Sequence, residues 1–210
     1  MFQDRADAGC RLALALEKYV DENALVLAIP RGGVRVAYEI AKHINAELSI
    51  VVSRKLPFPD NPEAGFGAIA EDGSIYLFPH ASRLLPQEII NEIIQQQQEE
   101  VKRRVEILRS AEPLPAIEGR TVILVDDGIA MGSTMRVSIM LCKNKNAEKI
   151  IVAAPVAGPD TIEEIGKLVD DTVVLETPPS FQAVAEVYLN WYDVPNSEVI
   201  ETMKRWYHEK

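Results

Sequence analysis

The 210-residue sequence predicts an α/β fold with three layers, a mostly parallel central sheet covered by helices on both faces. Three observations predict it. Apolar runs at 24–29 (ALVLAI), 121–126 (TVILVD) and 150–155 have the continuous hydrophobicity that strands buried on both faces require. Segments with apolar residues at helical spacing lie between them. Glycine-bearing turns follow the first two runs, where strands hand over to helices.

The elements follow in order. Residues 4–20 have helical spacing, with Leu12, Leu16 and Val20 four apart. The strand 24–29 ends at Pro30-Arg31-Gly32-Gly33 and leads into a helix over 34–45. A strand at 47–53 (ELSIVVS) ends at Arg54 and Lys55, and the prolines of Lys55–Pro62 predict a loop. Residues 66–78 predict a hairpin turning at Glu71-Asp72-Gly73. A long helix is expected over 86–109. Its Gln95–Gln98 run reads as a solvated face, flanked by Glu99–Arg103 and Glu100–Arg104 pairs at i,i+4. A helix after Gly132, a strand at 150–155, a helix near 160–169, a short strand at 172–176 and a C-terminal helix over 197–208 complete one domain spanning 1–210.

Composition bounds the partners. The formal net charge is −10, from 22 basic and 32 acidic side chains. Nucleic acids and anionic lipids both call for a basic face, so neither is expected as a partner. Residues 156–201 hold ten of the acids and one base, Lys167, so the remainder is nearly neutral and compatible with a small polyanionic ligand. No apolar run approaches the ~18 residues of a membrane span, and Met1–Arg5 leads into no signal-peptide core. The expected compartment is the cytoplasm. Cys10 and Cys142 are expected as buried thiols rather than a disulfide, and His43, His80 and His208 stand singly, giving a histidine metal site no support.

Ligands of open parallel sheets bind beyond the carboxyl ends of the strands. In Val122–Thr134 a buried strand ends in Asp126-Asp127, and the small-residue loop Gly128-Ile129-Ala130-Met131-Gly132 enters a helix at Ser133-Thr134. Gly128 and Gly132 let the backbone turn close to a ligand. The N–H groups of 129–134, at a helix N-terminus, suit a dianionic phosphate. The hydroxyls of Ser133 and Thr134 either add donors or cap the helix. Asp126 and Asp127 can accept from a vicinal diol, and either can help hold a hydrated Mg2+. After the first strand, Gly32 and Gly33 permit close backbone approach, and Arg31 offers a forked donor to phosphate oxygens. Asp4-Arg5 reads as an ion pair or a helix start, and Tyr188, Trp191 and Tyr192 read as packing residues. The chain has neither Gly-Lys-Ser/Thr nor Gly-x-Gly-x-x-Gly, which weakens a kinase or phosphatase reading of the two aspartates.

The Val122–Thr134 string closely resembles the phosphoribosyl pyrophosphate (PRPP) motif of type I phosphoribosyltransferases. Further stretches extend the likeness over essentially the whole chain, towards one bacterial and archaeal subgroup: Phe2-x-Asp4-Arg5-x-Asp7-Ala8-Gly9, Pro30-Arg31-Gly32-Gly33-Val34, Arg54-Lys55-Leu56, Asn61-Pro62-Glu63 with Gly67-Ala68, and Phe181-x-Ala183-Val184. Two positions depart from that subgroup: Met131 stands where Thr is usual, and Arg35 where Pro is common. The first removes a hydroxyl donor from the phosphate loop, and the second adds positive charge beside the Arg31 loop.

The resemblance implies transfer of ribose 5-phosphate from Mg-PRPP to a nitrogen nucleophile, such as a nucleobase, with release of pyrophosphate. It assigns the 5′-phosphate to Gly128–Thr134 and the pyrophosphate to Arg31, Gly32, Gly33, Arg54 and Lys55. It assigns the ribose diol and Mg2+ to Asp126 and Asp127, with Asp127 alternatively assisting charge development and proton transfer. Arg31, Lys55, Asp126 and Asp127 are thus the expected catalytic groups. The Arg31 loop of such enzymes often carries a non-proline cis peptide. Residues 56–75 are the expected lid, and a hood within 177–210 is expected to hold the acceptor, where Phe181 either stacks on the ring or packs in the core. The helix 86–109 offers a homodimer interface. A PRPP-binding regulatory or scaffolding protein without catalysis is the alternative reading.

Overall fold

The computed structural model describes residues 1–20 and 22–209, with the side chain of Ser82 outside the described set. The chain runs α1 (Arg5–Ala15), a 3-10 turn (Glu17–Tyr19), β1 (Leu25–Ala28), α2 (Gly33–His43) and β2 (Glu47–Ile50). Then come β3 (Ser53–Phe58), β4 (Asn61–Ala70), β5 (Ile75–Leu77), α3 (Ala81–Leu84) and α4 (Gln87–Arg109). The second half is β6 (Thr121–Val125), α5 (Ser133–Asn144), β7 (Lys149–Val156), α6 (Pro159–Gly166), β8 (Asp171–Glu176), a 3-10 turn (Val184–Val187) and α7 (Asn196–Glu209).

The central sheet has the order β2-β1-β6-β7-β8, and all its pairs are parallel. The apolar runs supply side chains to both of its faces. Leu25, Leu27, Val122 and Leu124 enter one apolar layer with Val137 and Leu141 of α5 and Ile165 of α6. Val26, Ala28, Ile123 and Val125 enter the other, with Leu12 of α1 and Val36 and Ile40 of α2. That two-sided burial is why these strands carry no polar alternation. Among the described residues no helix is long and apolar enough to cross a membrane.

Three expectations change. The strand expected at 47–53 leaves the central sheet at Ile50, and Ser53 opens a second sheet of antiparallel order β3-β4-β5. Arg109 fixes the corner between the sheets. Its guanidinium donates to the Ile50 carbonyl at 2.7 Å and to both Glu71 carboxylate oxygens, while Glu71 Oε1 accepts from the Val52 N–H. The proline-rich stretch expected as a loop is the tip of the β3–β4 hairpin. Pro57 has no N–H for the ladder, and the register shifts on both sides of it. Buried Leu56 and the edge-on contact of Phe58 with Phe66, 5.5 Å between ring centres, keep the hairpin closed nonetheless. Finally, α1 ends at Ala15, and Cys10 on it is exposed, so only Cys142 is the buried thiol expected of both; the two are unpaired.

Candidate active site

Two loops meet at the carboxyl end of the sheet because β1 and β6 are neighbours, with Ala28 opposite Val125 and Ile29 N–H donating to the Val125 carbonyl at 2.8 Å. The first holds Pro30-Arg31-Gly32-Gly33, and its Pro30–Arg31 peptide is cis. The second is 126–132. A Cβ on Gly32 would fall 1.8 Å from Asp127 Oδ2, and one on Gly33 would fall 2.7 Å from the Val125 carbonyl oxygen. Both glycines are therefore required for one loop to lie on the other, a reason different from the expected approach to ligand.

The second loop is pinned to the end of β7. Ile129 N–H donates to the Val156 carbonyl at 2.9 Å, and Gly158 N–H donates to the Ile129 carbonyl at 3.0 Å. The N–H of Ile129 is thus engaged within the protein, and the expected cradle begins at Ala130. Gly132, at φ 72°, is the N-cap of α5, so Ser133 and Thr134 occupy its first turn instead of capping it. Met131 is 66% exposed.

A cavity of about 510 Å3 opens over this loop. One wall is Asp126 and 128–135, and the facing wall is the hairpin, through Lys55, Phe58 and 63–65. Phe78 and Val184 complete it. The Lys55 ammonium donates to the Glu63 carbonyl across the hairpin. Of the sequence-predicted site, the structure therefore brings together Lys55, Asp126, Gly128, Ile129, Ala130, Met131, Gly132, Ser133 and Thr134.

The other predicted residues are not among those that line this cavity. Arg31 is exposed on its loop. Arg54 lies within β3 instead of at a central strand's end, and its Nε donates to Gln97 Oε1 of α4 at 3.2 Å. Burial, then the neighbouring charge of Arg104, holds its pKa below the ordinary guanidinium value. Phe181 borders a separate depression of about 350 Å3 with Ala130, Met131 and Thr161, and packs partly on the Phe2–Tyr188 cluster.

The adjacent carboxylates differ. Asp126 reaches the cavity wall, and burial, then the charge of Asp127, pushes its pKa well above the usual carboxylate range. Asp127 turns away. Its Oδ2 accepts from Arg5 Nε at 2.7 Å, both side chains are nearly buried, and its backbone carbonyl accepts from the Tyr188 hydroxyl at 2.7 Å. The expectation of two ligand-facing carboxylates narrows to Asp126. Of the two readings of Asp4-Arg5, the helix start holds, since Asp4 caps α1 by accepting from the N–H groups of Ala6 and Asp7, whereas the ion pair of Arg5 is with Asp127. No local pattern signals a partner 122 residues away.

A family model of the phosphoribosyl transferase domain matches residues 8–190, which take in both loops and the hairpin. The chain belongs to the phosphoribosyltransferase family. A provisionally named phosphoribosyl transferase of Mycobacterium tuberculosis is 36% identical over 207 residues, covering 98% of this chain and 47% of that protein. The chain thus spans about half the length of the curated relatives it matches. Among solved structures, TT1426 from Thermus thermophilus superposes with a TM-score of 0.82 at 36% identity, covering 98% of each chain. A purine phosphoribosyltransferase from Pyrococcus horikoshii superposes with a TM-score of 0.50 at 16% identity over 90% of this chain and 88% of its own, a likeness of fold.

Proposed function

We propose that the chain transfers ribose 5-phosphate from Mg-PRPP to a nitrogen nucleophile, a nucleobase or similar heterocycle, releasing pyrophosphate. The observation that carries this reading is the cavity in which the 128–134 backbone, Asp126 and Lys55 converge. PRPP has groups to match them in that order. The 5′-phosphate meets N–H groups and hydroxyls at the start of α5, the ribose diol meets Asp126, and the pyrophosphate lies towards Lys55, Arg31 and Arg54.

Mg2+ fits this donor set. Among the described residues no three ligating side chains cluster, while Asp126 offers one carboxylate to the cavity. Hydrated Mg2+ is commonly held by one or two carboxylates plus substrate phosphates, and when bound it neutralises charge on the departing pyrophosphate. The chain's own contribution is positioning. A transition state with oxocarbenium character at the ribose C1 carries positive charge, which the Asp126 carboxylate stabilises while it orients the diol. Arg31, Arg54 and Lys55 donate to the leaving oxygens. Asp127, engaged by Arg5, holds the loop geometry. The acceptor approaches from the 177–192 side, where Val184 borders the cavity and Phe181 the adjoining depression.

The test is pyrophosphate release from Mg-PRPP over a panel of purines, pyrimidines and nicotinate analogues. At least one acceptor should support release. PRPP binding without release across the panel would leave a PRPP-binding protein, and no PRPP binding at all would sink the reading.

A further inference from the structure

Arg5 precedes the span matched to the family, yet it is only 4% exposed. Its Nε meets Asp127 Oδ2 at 2.7 Å, and its Nη1 donates to the Tyr192 carbonyl at 3.0 Å. Its guanidinium lies 4.1 Å from the Trp191 ring centre and 5.3 Å from that of Tyr192. Aromatic faces and a backbone carbonyl thus hold the cation in one place. Beyond it, the Asp127 carboxylate rests on Gly32 so closely that no Cβ fits between them. One contact between the two loops therefore runs through Asp127, and Arg5 is the charged partner of its carboxylate.

We propose that Arg5 is a positioning residue that fixes the separation of the Arg31 loop and the 126–134 loop, so that one ligand carrying a phosphate and a pyrophosphate can span both. The inference rests on the transferase reading above. PRPP must engage both loops at once, so its affinity includes an effective-concentration contribution set by their spacing. Ribose 5-phosphate or pyrophosphate alone engages one loop and lacks that contribution. Removing Arg5 leaves Asp127 buried without its counter-charge and next to Asp126, which drives the carboxylate off Gly32. A brace serving only fold stability would instead weaken all three ligands alike.

The experiment is calorimetric titration of the wild-type chain and of Arg5→Ala, Arg5→Lys and Asp4→Ala with Mg-PRPP, Mg-pyrophosphate and ribose 5-phosphate, alongside thermal melts. Arg5→Ala should lose roughly thirtyfold in PRPP affinity, while each fragment changes by less than about threefold. Arg5→Lys keeps the charge without the planar fork, and should restore part of the PRPP affinity; if Arg5→Ala does not fold, the same PRPP-selective loss, smaller, is read from Arg5→Lys. Asp4→Ala removes the α1 cap without touching Asp127, and should lower Tm while leaving all three affinities within about threefold. Unchanged PRPP binding in the Arg5 variants, equal losses for all three ligands, or a PRPP-selective loss in Asp4→Ala would each overturn the role of Arg5. A wild-type chain that does not bind Mg-PRPP would overturn the transferase reading and this inference with it.

Discussion

The two walls of the cavity are built on different principles. The 126–134 wall offers mainly backbone, held to β7 through Ile129 and resting on Gly32 and Gly33 of the neighbouring loop. The hairpin wall offers side chains, Lys55, Phe58 and Glu63, on strands that belong to a separate sheet. A backbone wall tolerates no added atoms at its contacts, whereas a side-chain wall loses function in graded steps as groups are truncated. Substitutions on each side test that contrast.

The largest effect is expected at Gly33. A methyl there would sit 2.7 Å from the Val125 carbonyl oxygen and 2.9 Å from the Asp126 Cα, both backbone atoms that cannot swing aside. Gly33→Ala should cost about 1–3 kcal/mol of stability, read as a lower Tm, and abolish PRPP binding by calorimetry. Binding within tenfold of the wild type would show that the loops are not in obligatory contact.

Asp126→Asn comes next, and its two effects have opposite signs. Losing charge-assisted hydrogen bonds to the diol should cost about ten- to a hundredfold in PRPP affinity. The free protein should gain stability as pH rises, because burial and the charge of Asp127 disfavour the ionised form that the Asn side chain replaces. Its pKa is raised on folding, so the favourable contribution of the protonated group is complete below the unfolded value and lost as pH rises through the folded one. Thermal melts should therefore show the advantage of the variant growing with pH, and an advantage that shrinks with rising pH would contradict the assignment. Lys55→Ala, on the opposite wall, should cost only about tenfold in PRPP affinity, because its ammonium is solvent-exposed and screened.

The same contrast explains what was legible in the sequence. Three of the five parallel strands, β1, β6 and β7, and the 126–134 loop are written in continuous stretches, and local pattern is enough to find them. The hairpin is not written that way: the prolines of 57–62 read as a loop, and the Phe58–Phe66 contact that overrides them, like the Glu71–Arg109 pair at the corner between the sheets, depends on tertiary approach. Asp126 and Asp127 are identical neighbours whose different fates are decided by Arg5 from the far end of the chain. Gly32 and Gly33 are recognisable as sites of close approach, but the sequence cannot say that the approaching group is another loop.

The smallest expected effect sharpens the contrast most. Met131 is the side chain on the backbone wall that departs from the subgroup's usual Thr, and it is 66% exposed at the cavity. If the wall works through N–H groups, Met131→Thr should change PRPP affinity by no more than about threefold, since a hydroxyl exchanging water for phosphate contributes only ~0.5–1.5 kcal/mol net. The flexible thioether leaving an exposed position costs little in packing, so Tm should stay nearly unchanged. A gain beyond about tenfold would mean that hydroxyls, not backbone, govern the phosphate wall, and both walls would then work through side chains.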